Sequence, residues 1–262
     1  MNLQRVTAIA RRHLYVTIYS PARLIETAFW PIVDLLLWGL ITTYLQQSGA
    51  RLPLPVAVFL GGILLWDIVF RAKNSVAVCL LEENHSRNVI AVLASPVTPG
   101  EYLAGAVAFG LGKLAVTWTI MAGLAWVLFA FGVLGLGPIL AVYAALLVLF
   151  GMSLALVVMG FVLRFGYAAD ELAWALAAIV VPFSAVFYPV AALPGWAQAV
   201  ASIIPPAHVF ESMRSVLSGG DPGWNSLWAA AGLDLVYLAA GFAFARAMFV
   251  TFRRRGFASR YM

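Results

Sequence analysis

The sequence predicts an all-α integral membrane protein with six transmembrane helices. Hydrophobic residues make up 63% of the 262 residues and charged residues only 10%, whereas soluble domains contain about 25% charged residues. The mean hydropathy of +0.95 agrees with this class. Such an apolar chain is not intrinsically disordered, and its one cysteine, Cys79, excludes an intrachain disulfide. We therefore expect a single transmembrane domain over residues 1–262.

Residues 1–23 are predicted to form a helix at the cytoplasmic membrane interface. Apolar residues recur there at intervals of three and four: Leu3, Val6, Ala10, Leu14 and Ile18. With arginines at other positions, this pattern is typical of a basic amphipathic helix that lies in the membrane surface. Ser20-Pro21 should end the helix. An unstructured basic tail is the alternative.

Six apolar stretches are predicted to span the membrane. Their approximate boundaries are 27–45, 54–70, 114–136, 138–163, 172–193 and 227–245. A helix needs about 20 mostly apolar residues to cross the hydrocarbon core of a bilayer. An even number of spans places both chain ends on the same side.

The distribution of lysine and arginine predicts which side that is. Of the 16 Lys and Arg residues, only Arg51 and Arg214 fall in the segments opposite to the chain ends. Cytoplasmic loops of membrane proteins are enriched in these residues. Both termini should therefore be cytoplasmic. The same enrichment accounts for the net charge of +5 without a nucleic-acid partner.

Two long connections separate the spans. The cytoplasmic segment 71–102 is polar at its centre, and Ser95-Pro96 and Thr98-Pro99 should force a turn before the next helix. This segment either presents a short helix to a cytoplasmic partner or is an ordinary solvated connector. The outer segment 194–224 is half apolar and contains four prolines. It predicts one or two short helices that re-enter the outer leaflet, where protein or water must cover the helix breaks.

Two groups of residues make the chain resemble a known family. The first group lies in and after the fifth span and consists of Pro182, Pro189, Pro194, Pro205, Pro206, Glu211 and Arg214. The second group lies in the cytoplasmic segment and consists of Glu82, Glu83, the turn at Leu93 to Pro96 and the helix start at Glu101. Their order and spacing over nearly the whole chain resemble the ABC transporter type-2 permease family. Pro205 stands where many relatives have asparagine, which concerns only the local cap geometry.

The resemblance implies the membrane subunit of an ATP-driven exporter in a bacterial inner membrane. Such permeases form homodimers or heterodimers, and each binds a separate cytoplasmic ATPase subunit that holds the ATP and Mg²⁺. The segment 82–99 would correspond to the coupling helix that docks on the ATPase. Its candidate residues are Glu82, Glu83, Arg87, Leu93, Ser95 and Pro96.

The chain itself lacks the sequence features of an ATPase or a metal enzyme. The nearest match to a phosphate-binding loop has Val107 in place of the first glycine and Leu114 in place of the Ser or Thr that binds magnesium. The three histidines have no metal-ligand spacing. We therefore expect no enzyme activity, cofactor or metal on this chain, and ATP hydrolysis on a partner.

Apart from Asp67 near the end of the second, two aspartates lie inside predicted spans, Asp34 in the first and Asp234 in the last. A charge at the bilayer centre costs at least about 2.5–3.5 kcal/mol, so both should face protein or water. They either line one polar cavity of the translocation path or each bond a neighbouring helix. Asp67, four residues before Arg71, has the spacing of an ion pair on one helix face.

Two other functions are consistent with this composition. The first alternative is a secondary transporter driven by an ion gradient, with Asp34 and Asp234 as ion sites. The two halves of the sequence show no clear inverted repeat, which argues against it. The second is a membrane scaffold that transports nothing. For an exporter, the sequence leaves the substrate open among drugs, lipids, glycolipids and polysaccharides.

Overall fold

The computed structural model describes residues 2–47, 56–85, 95–165 and 169–255, and all regular structure in these ranges is helical. In chain order the helices are α1 Leu3–Ile18, α2 Pro21–Gln47, α3 Val56–His85, α4 Pro99–Phe129, α5 Ile139–Phe165, α6 Ala169–Val180, α7 Gly195–Ala201, α8 Pro205–Leu217 and α9 Trp224–Arg255. Short 3₁₀ turns occupy Val133–Leu136, Val181–Phe183 and Val190–Ala192. The predicted all-α class is confirmed for these ranges.

Four of these helices are long and apolar enough to cross a membrane: α2, α4, α5 and α9. Their apolar stretches are Pro21–Tyr44, Gly100–Phe129, Ile139–Val162 and Trp224–Thr251. They overlap the first, third, fourth and sixth predicted spans, and they make the chain a multi-pass membrane protein. The count of six spans stays a prediction, because α3 and α6 differ from these four helices.

Helix α3 has 30 residues, a length of about 45 Å at about 1.5 Å per residue. Asp67, Arg71 and Lys73 interrupt its apolar run. Helix α6 has only 12 residues and ends at Val180, earlier than the helix expected over 172–193. Proline has no N–H to continue a helix, so the chain beyond Val180 proceeds through Pro182 and Pro189 as 3₁₀ turns.

Helix α5 lies between α3 and α9 and forms the centre of the bundle. Tyr143, Leu147 and Phe150 on α5 are buried. A Cβ atom added to Gly151 would lie 2.6 Å from Cβ of Ala72 on α3, and one added to Gly241 on α9 would lie 2.9 Å from the Ser153 carbonyl. Small residues at these contacts let the helix backbones approach closely, as in many membrane bundles.

Helix α1 forms as the sequence predicted and ends before Ser20-Pro21. Its buried residues Val6, Ile9 and His13 face α4. Leu3 and Leu14, which belong to the predicted apolar stripe, are instead exposed. The helix therefore has two apolar sides, one packed on α4 and one that the described part of the chain leaves exposed.

Candidate functional site

A buried carboxylate joins α1 to the start of α4. Glu101, in the first turn of α4, is 4% exposed. Its Oε1 accepts a 2.7 Å hydrogen bond from the backbone N–H of Asn2, and its Oε2 lies 3.5 Å from Nη1 of Arg5. The same Arg5 nitrogen donates a 2.6 Å hydrogen bond to the Pro96 carbonyl. Arg5 therefore connects α1, α4 and the end of the segment 71–102.

Glu101 also stabilises the N-terminus of α4 through a capping box. The Thr98 side chain accepts a hydrogen bond from the Glu101 N–H at 3.3 Å, and Glu101 Oε2 accepts the Thr98 N–H at 3.0 Å. These bonds satisfy N–H groups at the helix start that have no partner within the helix. Pro99 suits the first helical position because it has no N–H to satisfy. The turn 95–98 is therefore fixed to both helices.

Aromatic and backbone contacts extend this junction along α1. The buried His13 ring stacks on Phe109, with 5.7 Å between ring centroids, and meets the Tyr102 ring edge-on at 6.0 Å. A Cβ atom added to Gly105 would lie 2.7 Å from Cβ of Ile9. Only glycine allows the two helices to be this close at that point. Helix α1 and the first turns of α4 therefore form one packed unit.

The structure describes four of the six predicted ATPase-coupling residues. Glu82 and Glu83 are in the last turn of α3, which ends at His85. Arg87 and Leu93 lie outside the described residues. Ser95 and Pro96 form a bend before α4, and the Pro96 carbonyl accepts the bond from Arg5. A coupling helix within 86–94 stays a prediction.

At the opposite end of the bundle, Arg214 and Glu211 of α8 hold the proline-rich loop 181–193. Arg214 is 6% exposed, and its Nη1 donates a 2.6 Å hydrogen bond to the Ala185 carbonyl. Its Nη2 lies 3.0 Å from Oε1 of Glu211. The same Glu211 oxygen accepts a 2.5 Å hydrogen bond from the Val190 N–H. The two side chains thus hold both halves of the loop.

The loop has a backbone conformation that needs such support. Ala185 has φ 54°, in the left-handed region that residues with a side chain rarely adopt. Its carbonyl is the one that accepts the Arg214 bond. The ring of Phe187 stacks on Trp38 of α2 at 4.8 Å. The loop is therefore held by α8 on one side and packed on α2 on the other.

The prolines of the predicted signature stand at or next to the start of a helix or turn. They are Pro182, Pro189, Pro194, Pro205 and Pro206. Proline has a fixed φ that suits the first turn of a helix. The segment 194–224 contains two short helices, α7 and α8. Their depth in a membrane stays a prediction.

Asp34 and Asp234, the aspartates of the first and last predicted spans, have different surroundings. Asp234 in α9 is 1% exposed, and neither carboxylate oxygen has a hydrogen-bond partner among the described residues. Asp34 is exposed on α2 and lies within electrostatic range of Asp67 on α3. Asp67 forms the predicted ion pair with Arg71, with 2.6 Å between Oδ2 and Nε. The structure thus associates Asp34 with the ion pair on α3, while Asp234 is enclosed.

The sequence reasoning missed Arg5 and the double role of Glu101. The spacing Thr98-x-x-Glu101 is that of a capping box, so the capping role of Glu101 could have been predicted from the sequence. No local pattern relates Arg5 to Pro96, because the two are 91 residues apart in the chain.

Comparison with known proteins gives one family. The family model described as ABC-2 family transporter protein matches residues 49–250, which is more than half of the chain. The match begins before α3 and ends within α9. No curated protein matches the chain significantly.

Proposed function

Because the chain belongs to the ABC-2 family of transporter proteins, we propose that it is the permease subunit of an ATP-driven exporter. Two copies would form the translocation path, and each would bind a separate cytoplasmic ATPase subunit that supplies ATP and Mg²⁺. The observation that carries the proposal is the junction at Glu101. It attaches the end of the cytoplasmic segment to α1 and α4.

The proposed topology has six crossings, with both termini and the segment 71–102 in the cytoplasm of a bacterial cell. Helix α3 would be the second crossing, since it is long enough and its Asp67–Arg71 pair neutralises two charges. Helix α6 and the turns after it would form the fifth crossing. The short helices α7 and α8 would lie in the outer leaflet. Their loop contacts through Arg214 and Glu211 support a rigid outer end.

In the proposed mechanism, ATP binding draws the two ATPase subunits together and moves the segment between α3 and α4. The Pro96 carbonyl is bonded to Arg5, and Thr98 is bonded to Glu101. Displacement of the turn 95–98 would therefore shift α1 and α4 together. The path between the two permease copies would then open toward the outside.

Replacing residues 86–94 by a glycine-serine linker of equal length tests ATPase coupling and leaves the Thr98 cap intact. We expect the variant to insert into the membrane but to lose copurification with its ATPase. The matched control is a linker of equal length in place of residues 48–53, on the proposed outer side, which should retain the ATPase. Undiminished ATPase binding by the 86–94 variant would contradict the proposal.

The energy source separates the exporter from the alternative of an ion-driven transporter. Transport into inverted vesicles that contain both subunits should require ATP and continue in the presence of an uncoupler. Transport that stops with the uncoupler and continues without ATP would contradict the exporter.

A further inference from the structure

One face of α2 carries a carboxylate and two aromatic rings that no other described residue covers. Its residues follow one another at spacings of four and three, and we call them the Asp34 stripe: Trp30, Asp34, Leu37, Ile41 and Tyr44. All five side chains are exposed, with Trp30 at 57% and Tyr44 at 68%. On an α-helix this spacing places them in one narrow row along the axis.

Asp34 lies near the middle of the apolar stretch Pro21–Tyr44. At about 1.5 Å per residue it is about 15–20 Å from either end of that stretch. A carboxylate at this depth costs at least about 2.5–3.5 kcal/mol in hydrocarbon. The stripe therefore faces water or protein and not lipid tails.

Among the described residues, the charged groups near Asp34 carry a net negative charge when all are ionised. The sequence has no Lys or Arg between Arg23 and Arg51, so α2 provides no cation at this depth. The neighbouring Asp67 has the same sign, and its partner Arg71 is already bonded to it at 2.6 Å. Two carboxylates and one guanidinium leave one negative charge when all are ionised.

A two-fold arrangement of two copies increases this charge. Any interface on the symmetry axis uses the same surface of both subunits, so two stripes that meet would bring two Asp34 carboxylates together. Direct packing of one stripe on the other is therefore unfavourable at its centre. A cavity that admits water and a positively charged ligand satisfies both carboxylates.

We propose that the Asp34 stripe lines the translocation path and binds the cationic group of an amphipathic organic cation. Asp34 is the counter-ion, and the exposed ring of Trp30, one turn away, provides a cation–π contact for the same charge. Leu37 and Ile41 contact the apolar part of the ligand. The proposal rests on the proposed function, because a translocation path exists only in a transporter.

Binding of tetraphenylphosphonium to the permease–ATPase complex in nanodiscs tests the proposal. Tetraphenylborate has nearly the same shape and the opposite charge, so it isolates the effect of charge. We expect Asp34→Asn to weaken phosphonium binding about tenfold and not to weaken borate binding. Asp234→Asn removes a different aspartate, which lies on α9 and outside the stripe, and should leave phosphonium affinity unchanged. Equal phosphonium affinity of the wild type and Asp34→Asn would overturn the proposal.

Cysteine labelling distinguishes a ligand path from a surface covered by the second copy. In a Cys79→Ala background, Leu37→Cys should react with a positively charged methanethiosulfonate, and tetraphenylphosphonium should slow that reaction. The control Leu235→Cys lies beside Val236 on an exposed apolar part of α9, which we expect to face lipid, and it should therefore not react. A Leu37→Cys protein that forms a disulfide-linked dimer and resists the reagent would overturn the proposal. Either negative result leaves ATPase copurification, and so the proposed function, untouched.

Discussion

Glu101 connects residues that are far apart in the chain. Its carboxylate accepts the N–H groups of Asn2 and Thr98 and lies beside Arg5. Hydrogen bonds to a charged group are roughly twice as strong as those between neutral groups. Because Glu101 is itself in the first turn of α4, its charge also suits the positive end of the helix dipole. The position of α1 on α4 should therefore depend on this one charge.

Glu101→Gln removes the charge and retains the size of the side chain. We expect α1 to dissociate from α4 more often, because the bond from Asn2 weakens and the attraction to Arg5 is lost. Amide hydrogen exchange at Val6 and Ile9 should become faster by about tenfold. The same change at the other end of the bundle, Glu211→Gln, should leave exchange in α1 as in the wild type. Unchanged exchange in the Glu101 variant would mean that the aromatic contacts alone hold α1.

The ion pairs show which contacts a sequence can predict. Asp67 and Arg71 are one helical turn apart, so their pairing follows from local geometry. The contact between Arg5 and Glu101 depends on how two helices pack, and no local pattern contains that information. The enclosure of Asp234 has the same origin. Its place in an apolar helix was predictable, but its surroundings depend on the packing of α9 on α5.

At the scale of helices, the sequence predicted where helices occur better than it predicted where they end. Apolar runs located α2, α4, α5 and α9, because a bilayer requires about 20 apolar residues. The prolines at 96 and 99 predicted the turn before α4, which begins at Pro99. The end of α6 at Val180 was predicted less well, because a proline either kinks or ends a helix and the surrounding contacts decide which. Here the bond that Arg214 donates to Ala185 and the bond that Glu211 accepts from Val190 stabilise the loop that follows.

Gly151→Ala tests the close contact of α3 and α5. The added methyl group would lie 2.6 Å from Cβ of Ala72 and 2.7 Å from the Val69 carbonyl, so the helices must separate. Overpacking of this kind typically costs about 1–3 kcal/mol, and the thermal unfolding midpoint of the purified protein should fall. Gly123→Ala is the matched control, because a Cβ atom there meets nothing within 4 Å. Equal midpoints for the two variants would mean that α3 and α5 are not in this contact.

For the whole molecule, the positions of α3 and α6 decide the distribution of charge across the membrane. If only α2, α4, α5 and α9 crossed, the segment after α3 and the segment after α5 would both be outside. Arg71, Arg87 and Arg164 would then lie on the outer side, against the usual enrichment of such residues in the cytoplasm. Six crossings leave only Arg51 and Arg214 outside. The charge pattern therefore favours crossings by α3 and by the segment that begins with α6.

Four single-cysteine variants in the Cys79→Ala background measure this topology. Gln47→Cys and Ser95→Cys flank α3, and Phe165→Cys and Asp221→Cys flank the segment from α6 to α8. In intact cells, a membrane-impermeant maleimide should label Gln47→Cys and Asp221→Cys, whereas the other two should require permeabilised cells. If α3 did not cross, Gln47→Cys and Ser95→Cys would react under the same conditions. The residues between α3 and α4 would then be outside, where no ATPase could bind them. This labelling result therefore tests the proposed mechanism as well as the fold.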